Sequence, residues 1–195
     1  MSGTEKIQRH FNSMAHRYDV RYDGDRGRRY YDHLSELVFH RISGGGKLLD
    51  LGCGTGLFVE RYLMRGENAM GLDISRGMIE RAIQRCPGTS FTVASADQIP
   101  FREGTFEVLV SLLVFSYVSD PERMLREVRG VLKPGGKVLL VEPRLHVTRD
   151  MFDRMLAAAA AAGFRVLGTP KVSLSRAAVL GQGRQLGRDP GTASI

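Results

Sequence analysis

The amino-acid sequence predicts an α/β fold in which helices cover both faces of a mostly parallel sheet. From Lys47 onward, short apolar runs alternate with segments of helical periodicity, a pattern typical of strands joined by crossover helices. The apolar runs are rich in leucine, valine and phenylalanine, as expected for strands that are buried on both faces. A chain of 195 residues can fill one core and is too short for two ordinary domains.

The residues before the first strand are predicted to form two helices. Apolar side chains recur at helical spacing from Ile7 to Tyr18, and residues 29–42 repeat them with a period of 3.6. The glycine-rich stretch 23–27 predicts a loop between the helices, and the glycines at 44–46 end the second one.

The rest of the chain divides into seven predicted strands, four predicted helices and a tail. The last two strands are joined by so short a link that they must pair antiparallel, because a parallel return needs a crossover. Residues 182–195 are predicted to be a flexible tail. The strands are predicted at 47–51, 68–73, 90–94, 106–112, 137–142, 164–170 and 172–181, and the helices at 55–65, 75–86, 121–132 and 149–162.

The strongest functional signal is the loop after the first strand, in the string LLDLGCGTG (48–56). Its glycines, Gly52 and Gly54 among them, permit a sharp turn and let a ligand lie against the backbone. The N–H groups at the start of the following helix favour a carboxylate or a phosphate. The spacing is G-x-G-x-G, whereas the dinucleotide fingerprint is G-x-G-x-x-G.

Three acids stand at or near the ends of the first three strands. Asp50 lies within an apolar strand, where a carboxylate needs a partner such as a ligand ammonium group. Asp73 closes the second strand, where it can accept hydrogen bonds from ribose hydroxyls or instead cap the next helix. Asp97 can accept a hydrogen bond from an adenine amino group or serve as a turn residue. Together with the glycine loop, the acids match an amino acid joined to adenosine better than a dinucleotide.

The set of motifs resembles that of class I S-adenosylmethionine-dependent methyltransferases of the type 11 group. LDLGCGTG resembles motif I, GLDIS (71–75) with Met78 resembles motif II, and ADQIPF (96–101) resembles the adenine-contacting motif. FEVLVSLLVFSYVSDPERMLREVRGVLKPGGKVLLVEP (106–143) resembles the segment that carries strands four and five, and FNSMAHRYD (11–19) resembles the N-terminal lid. The resemblance covers residues 11 to 181.

The resemblance implies a Rossmann-like sheet of seven strands, the last antiparallel, with S-adenosyl-L-methionine as cofactor. It implies an N-terminal helical lid at 1–45 and a cofactor-binding domain at 46–181. It assigns the methionine part, the ribose and the adenine to separate groups of side chains. The predicted cofactor-binding residues are Tyr18, Asp50, Gly52, Gly54, Asp73, Ile74, Met78, Ala96, Asp97 and Ser111.

The predicted reaction is direct in-line methyl transfer, which needs alignment of the two reactants and no metal. Acceptor residues are expected after strands four and five, at the carboxyl edge of the sheet. The family's frequent histidine pair is replaced here by Ser116 and Tyr117, so His146 is the predicted general base. Tyr117 is predicted either to orient the acceptor or to pack, and His146 is alternatively a solvated loop residue.

The chain is predicted to act in the cytoplasm on a small-molecule acceptor. It lacks an apolar run long enough for a bilayer and an N-terminal signal core, and its two cysteines form no disulfide framework. A net charge of +7 suits an anionic acceptor, held for example by Arg144, or an ordinary solvated surface. The alternatives are an RNA methyltransferase, a non-catalytic cofactor-binding module and a nicotinamide-dependent oxidoreductase.

Overall fold

A computed structural model describes residues 3–22, 24–42 and 46–183 as a seven-stranded sheet packed between helices. The strands are β1 (Lys47–Leu51), β2 (Asn68–Asp73), β3 (Phe91–Val93), β4 (Phe106–Leu112), β5 (Leu132–Pro143), β6 (Phe164–Gly168) and β7 (Ser175–Gln182). Their order is β3-β2-β1-β4-β5-β7-β6, and β7 runs in the opposite direction to the other six strands. The predicted Rossmann-like sheet with an antiparallel last strand is therefore confirmed.

The described part of the chain contains six α-helices and two short 3₁₀ turns, of which two helices and one turn precede the first strand. The helices are α1 (Gly3–Tyr18), α2 (Asp25–Arg41), α3 (Leu57–Leu63), α4 (Arg76–Arg85), α5 (Pro121–Val131) and α6 (Arg149–Ala161). The 3₁₀ turns are Asp19–Arg21, directly after α1, and Phe115–Tyr117, between β4 and α5.

Each face of the sheet has its own apolar core, as expected for a doubly covered sheet. Apolar side chains of α2 and α3 pack on one face together with Leu48. Those of α5 and α6 pack on the other face together with Leu49 and Leu51. Because side chains alternate along a strand, Asp50 shares the face of Leu48 and points toward α2 and α3.

The predicted starts of α2 and β5 were wrong, because both elements begin earlier in the chain than the pattern suggested. Helix α2 begins at Asp25, so residues 25–27 are helical. Gly27 allows this start, since a Cβ there would lie 2.2 Å from the carbonyl oxygen of Tyr22. Strand β5 begins at Leu132, before the predicted 137, and a register shift opposite Phe106 to Val108 accommodates the extra residues.

The second strand of the C-terminal hairpin begins and ends later than predicted. Strand β7 begins at Ser175 and includes Gln182, which the prediction placed in the tail. Most of that predicted tail, residues 184–195, lies outside the described residues. None of the described helices combines the length and the apolar character that crossing a membrane requires.

Candidate active site

An open cleft of about 740 Å³ lies at the carboxyl ends of the central strands, beneath α1. Strand β1 pairs with β2 on one side and with β4 on the other, so consecutive connections leave it in opposite directions there. Ligands of open α/β sheets bind at such a switch point. The cleft is lined by Thr4, Ile7, Phe11, Tyr18, Gly52, Gly54, Leu72, Asp73, Ile74, Met78, Ala94, Ser95, Ala96, Asp97, Leu112, Leu113, Val114, Tyr117, Val118 and Ser119.

The glycine loop follows β1 with a backbone that other residues adopt only at a cost. Gly52 has φ +75° and Gly54 has φ +53°, both in the left-handed region. A Cβ on Gly52 would lie 2.3 Å from the side chain of Val114, so this glycine lets β1 approach the end of β4. Helix α3 then begins at Leu57, two residues later than predicted.

Asp50 is a fully buried acid, and its Oδ1 lacks a hydrogen-bond partner among the described residues. It lines a recess of about 300 Å³ that shares Tyr18, Gly52 and Gly54 with the cleft. Burial raises the pKa of Asp50 well above its usual range, and the charge of Asp73 raises it further. A cation in this recess would supply the missing partner and favour the ionised form.

Asp73 lies at the end of β2 with its carboxylate at the cleft wall. Its Oδ2 accepts a hydrogen bond from the Gly54 N–H at 2.9 Å, and its Oδ1 accepts one from the Ser75 N–H at 2.8 Å. Burial raises its pKa, and these N–H groups oppose the rise. Helix α4 is capped by Ser75, which accepts from the Met78 N–H, so both Asp73 oxygens keep acceptor capacity toward the cleft.

The remaining predicted cofactor residues divide into two groups. Ile74, Met78, Ala96 and Asp97 all line the cleft beyond Asp73. Ser111 does not line it: it is buried on the face of β4 opposite Leu112, and its hydroxyl lacks a partner among the described residues. Leu112 and Leu113 occupy the end of β4 instead, with Leu113 at the strained φ of +62°.

Helix α1 is attached to the start of α4 by polar contacts that the sequence analysis missed. Asn12 Oδ1 accepts hydrogen bonds from the Ser75 hydroxyl at 2.7 Å and from the Gly77 N–H at 3.1 Å. Gln8 donates to the Ile74 carbonyl at 3.0 Å. These contacts hold Phe11 and Tyr18 over the cleft. The only sequence signal was a pair of polar residues four apart on an amphipathic helix.

A second attachment, also missed, joins the end of the lid to the glycine loop. Asp19 accepts hydrogen bonds from the Thr55 hydroxyl and, at 2.8 Å, from the Arg85 guanidinium. Arg85 also donates to the Thr55 carbonyl at 3.0 Å and pairs with Glu60 at 3.3 Å. Tyr18 stands next to this network, and burial raises its pKa, so its hydroxyl stays protonated.

The acceptor side of the cleft is formed by the 115–117 turn and α1. The rings of Phe11 and Tyr117 meet edge to face with centroids 5.2 Å apart. Tyr117 therefore lines the cleft, although 43% of it is exposed. His146 lies in the turn after β5, where it is exposed and does not line the cleft.

Beneath the 115–117 turn lies Glu142, a further residue that the sequence analysis did not single out. Its Oε1 accepts the N–H groups of Phe115 at 2.8 Å and of Val114 at 3.1 Å. Burial raises the pKa of Glu142 to about 7, against the opposing effect of hydrogen bonds from Phe115, Ser116 and Val114. Glu142 thus fixes the backbone that presents Tyr117.

The described part of the chain shows neither a cluster of metal-binding side chains nor a thiol favoured as a nucleophile at Cys53. It contains no group of three histidine, cysteine or acidic side chains arranged to hold a metal ion. Cys53 is buried in the glycine loop, and burial raises the pKa of its thiol well above the usual range. It is a packing residue, because the nucleophilic thiolate form is disfavoured.

A seven-stranded sheet in this order, with a switch-point cleft and an acid at the end of β2, is the fold of class I S-adenosylmethionine-dependent methyltransferases. Magnesium protoporphyrin IX methyltransferase of Synechocystis PCC 6803, solved with bound cofactor, has the same fold. It superposes with a TM-score of 0.73 at 18% identity, over 94% of this chain and 98% of its own length.

Residues 49–140, just under half of the chain, match the family model described as a methyltransferase domain, of the type 11 group. The malonyl-[acyl-carrier protein] O-methyltransferase of Serratia marcescens is 35% identical over 95 residues, which is 49% of this chain and 37% of that protein. The demethylmenaquinone methyltransferase of Renibacterium salmoninarum is 29% identical over 143 residues, or 71% and 59%. The chain thus spans between about a third and three fifths of these relatives.

Proposed function

We propose that the chain transfers the methyl group of S-adenosylmethionine to a small-molecule acceptor in the cleft. The observation that carries the proposal is the Oδ1 atom of Asp50, which is fully buried beside the glycine loop and lacks a hydrogen-bond partner among the described residues. A buried acid without a partner is costly, and a ligand ammonium group would remove that cost. When bound, S-adenosylmethionine supplies a methyl group on a positively charged sulfur.

The cleft offers different groups to the different parts of this cofactor. Asp50 and the backbone of Gly52 and Gly54 would hold the amino-acid part. Asp73 has free acceptor capacity for ribose hydroxyls, and Asp97 beyond it for an adenine amino group. Acids at both ends and no cation among the lining residues suit a neutral nucleoside with an ammonium group better than a pyrophosphate.

The acceptor would lie between the lid and the 115–117 turn. Phe11, Tyr117 and Ile7 give this end of the cleft an apolar, aromatic lining. The names of the two curated relatives specify a malonyl-carrier and a demethylmenaquinone substrate, and neither is a nucleic acid.

The geometry supports Tyr117 in preference to His146 as the residue at the acceptor. Tyr117 lines the cleft and is held by the turn that Glu142 fixes, whereas His146 is exposed outside the lining. Tyr117 would orient the acceptor through its ring and hydroxyl. Catalysis would then rest mainly on alignment and on exclusion of water by the lid.

Calorimetry of the full chain with S-adenosylhomocysteine, the demethylated product, tests the cofactor assignment. We expect saturable binding, and we expect none with NAD. Incubation with methyl-labelled S-adenosylmethionine and a fractionated cell extract then tests the acceptor, with label expected among small molecules. Absence of binding at millimolar concentrations would refute the assignment, and label confined to RNA would refute the acceptor class.

A further inference from the structure

A second concavity, of about 1000 Å³, lies on the opposite side of β5 from the cofactor cleft. It arises because β6 pairs with β7 only as far as Val179. Residues 175–178 of β7 therefore have no strand on their outer side within the described part of the chain. The start of α6 forms one wall of this groove, and residues 169–171 form the other.

The groove is lined by four cationic side chains and one acid. Arg144 and Arg176 are held by backbone carbonyls, of Ser175 at 3.0 Å and of Val147 at 2.8 Å. Like Lys171, they have no carboxylate within 4.0 Å among the described residues. The guanidinium of Arg149 is 3.9 Å from Asp153, the only acid in the lining, in an exposed and weak ion pair. This concentration of positive charge attracts anions.

Apolar surface accompanies the charge. Phe152 and Leu156 of α6 line the groove. Leu145 and Leu174 stand on the adjoining loops with 88% and 83% of their surface exposed. The two loops are joined by a hydrogen bond from the Arg144 N–H to the Leu174 carbonyl, and Leu174 has a strained φ of +57°. Cationic and apolar groups side by side suit a ligand with an acidic head and an apolar chain.

The groove is separate from the cleft. Neighbouring strands lie about 4.8 Å apart, so β4, which borders the cleft, is about 10 Å from β7, which floors the groove. Glu142 and the 115–117 turn fill the space beside β5 at this edge. We propose that the groove binds an amphiphilic anion, with Arg144, Arg149, Lys171 and Arg176 around its acidic head and Phe152 and Leu156 along its chain.

Titration of the full chain with octyl phosphate, followed by calorimetry and amide NMR, tests this proposal. We expect saturable binding that moves the amide signals of residues 175–177 and leaves those of Gly52 and Gly54 unchanged. Octanol and methyl phosphate should each bind at least about tenfold more weakly, because each lacks half of the recognised chemistry. Saturating S-adenosylhomocysteine should leave the affinity for octyl phosphate unchanged, so the result does not depend on methyltransferase activity.

The double variant Arg149→Gln, Lys171→Gln removes two exposed charges from the groove without touching the core. Its matched control is Arg123→Gln, Arg126→Gln, which removes two charges from exposed positions of α5. We expect about tenfold weaker binding in the first and no change in the second. Equal losses in both would show nonspecific attraction and overturn the proposal. So would signal changes at Gly52, or binding only to phosphatidylglycerol vesicles and not to octyl phosphate.

Discussion

The two halves of the carboxyl edge of the sheet use charge in opposite ways. At β1 and β2 the charged groups are acids, Asp50 and Asp73, and both are buried. In the loops beside β7 they are bases such as Arg144 and Lys171, and both are exposed. Buried acids without counter-ions destabilise the free protein until a ligand arrives, whereas exposed bases cost little because water solvates them. The first half therefore requires a ligand that supplies partners for its acids, whereas the second can bind many anions.

The largest effect is expected for Asp50→Asn, which removes the buried charge and retains its shape. Affinity for S-adenosylhomocysteine should fall by roughly 30- to 5000-fold, equivalent to about 2–5 kcal/mol, as for other buried charge partners. The free protein should be as stable as the wild type or more stable, because an unpartnered buried acid is gone. Calorimetry and thermal unfolding measure the two effects.

Asp25→Asn is the matched control, since Asp25 is exposed and Arg28 is its one ion-pair partner among the described residues. It should change neither the affinity nor the midpoint of unfolding. If Asp50→Asn bound S-adenosylhomocysteine like the wild type, ligand binding in the first half of the edge would not depend on its buried acid, and the proposed difference between the two halves would be refuted.

Glu142 lies between the two halves, and Glu142→Gln tests how much this buried acid contributes to the pH dependence of the free energy of unfolding. Between pH 4.5, the ordinary pKa, and about 7, the raised pKa, the folded protein keeps the Glu142 proton that the unfolded chain has released. The unfolded state then binds fewer protons, so stability falls as pH rises through this window. The variant should lose this contribution, up to about 3 kcal/mol, and urea unfolding at the two ends of the window measures it.

The Glu142→Gln variant should keep part of the pH dependence, because the pKa values of Asp50 and Asp73 are also raised by burial. Subtracting the variant from the wild type therefore isolates Glu142. Glu122→Gln, at an exposed position of α5, should leave the pH dependence of stability unchanged. An identical slope in wild type and Glu142→Gln would mean that the buried carboxyl titrates normally.

The sequence predicted the parts of the site that depend on neighbours along the chain. The glycine loop, Asp73 and the 96–97 pair follow their strands directly, so strand ends and spacing were enough to place them at the cleft. The strand bounds of β1, β2 and β4 were likewise correct, because continuous apolar runs end where the backbone leaves the sheet.

Contacts between distant segments could not be predicted in this way. Asn12 meets Ser75 and Asp19 meets Arg85 across more than sixty residues, and no local pattern marks such partners. Ser111 was assigned to the cleft by resemblance, yet alternation along β4 places Leu112 there. His146 was chosen for its chemistry, whereas its exposure is set by the turn that follows β5.

Asp19→Asn should destabilise the protein by about 2 kcal/mol, measured by urea unfolding. The variant breaks a largely buried ion pair and leaves Arg85 with Glu60 alone. Breaking a fully buried pair costs roughly 3–5 kcal/mol, and partial exposure of both side chains reduces the figure here. Asp25→Asn, which breaks an exposed pair, should stay within about 0.5 kcal/mol of the wild type. Equal losses would show that the lid attachment contributes no more than a surface pair.

The smallest effect concerns the contact that closes the acceptor side of the cleft. A double-mutant cycle with Phe11→Ala and Tyr117→Ala should give a coupling energy near 0.5 kcal/mol, the lower end for aromatic pairs, because Tyr117 is 43% exposed. The readout is the free energy of binding S-adenosylhomocysteine, since the lid covers the ligand. Zero coupling would mean that the lid is held by Asn12 and Asp19 alone, and that Tyr117 is free to serve the acceptor.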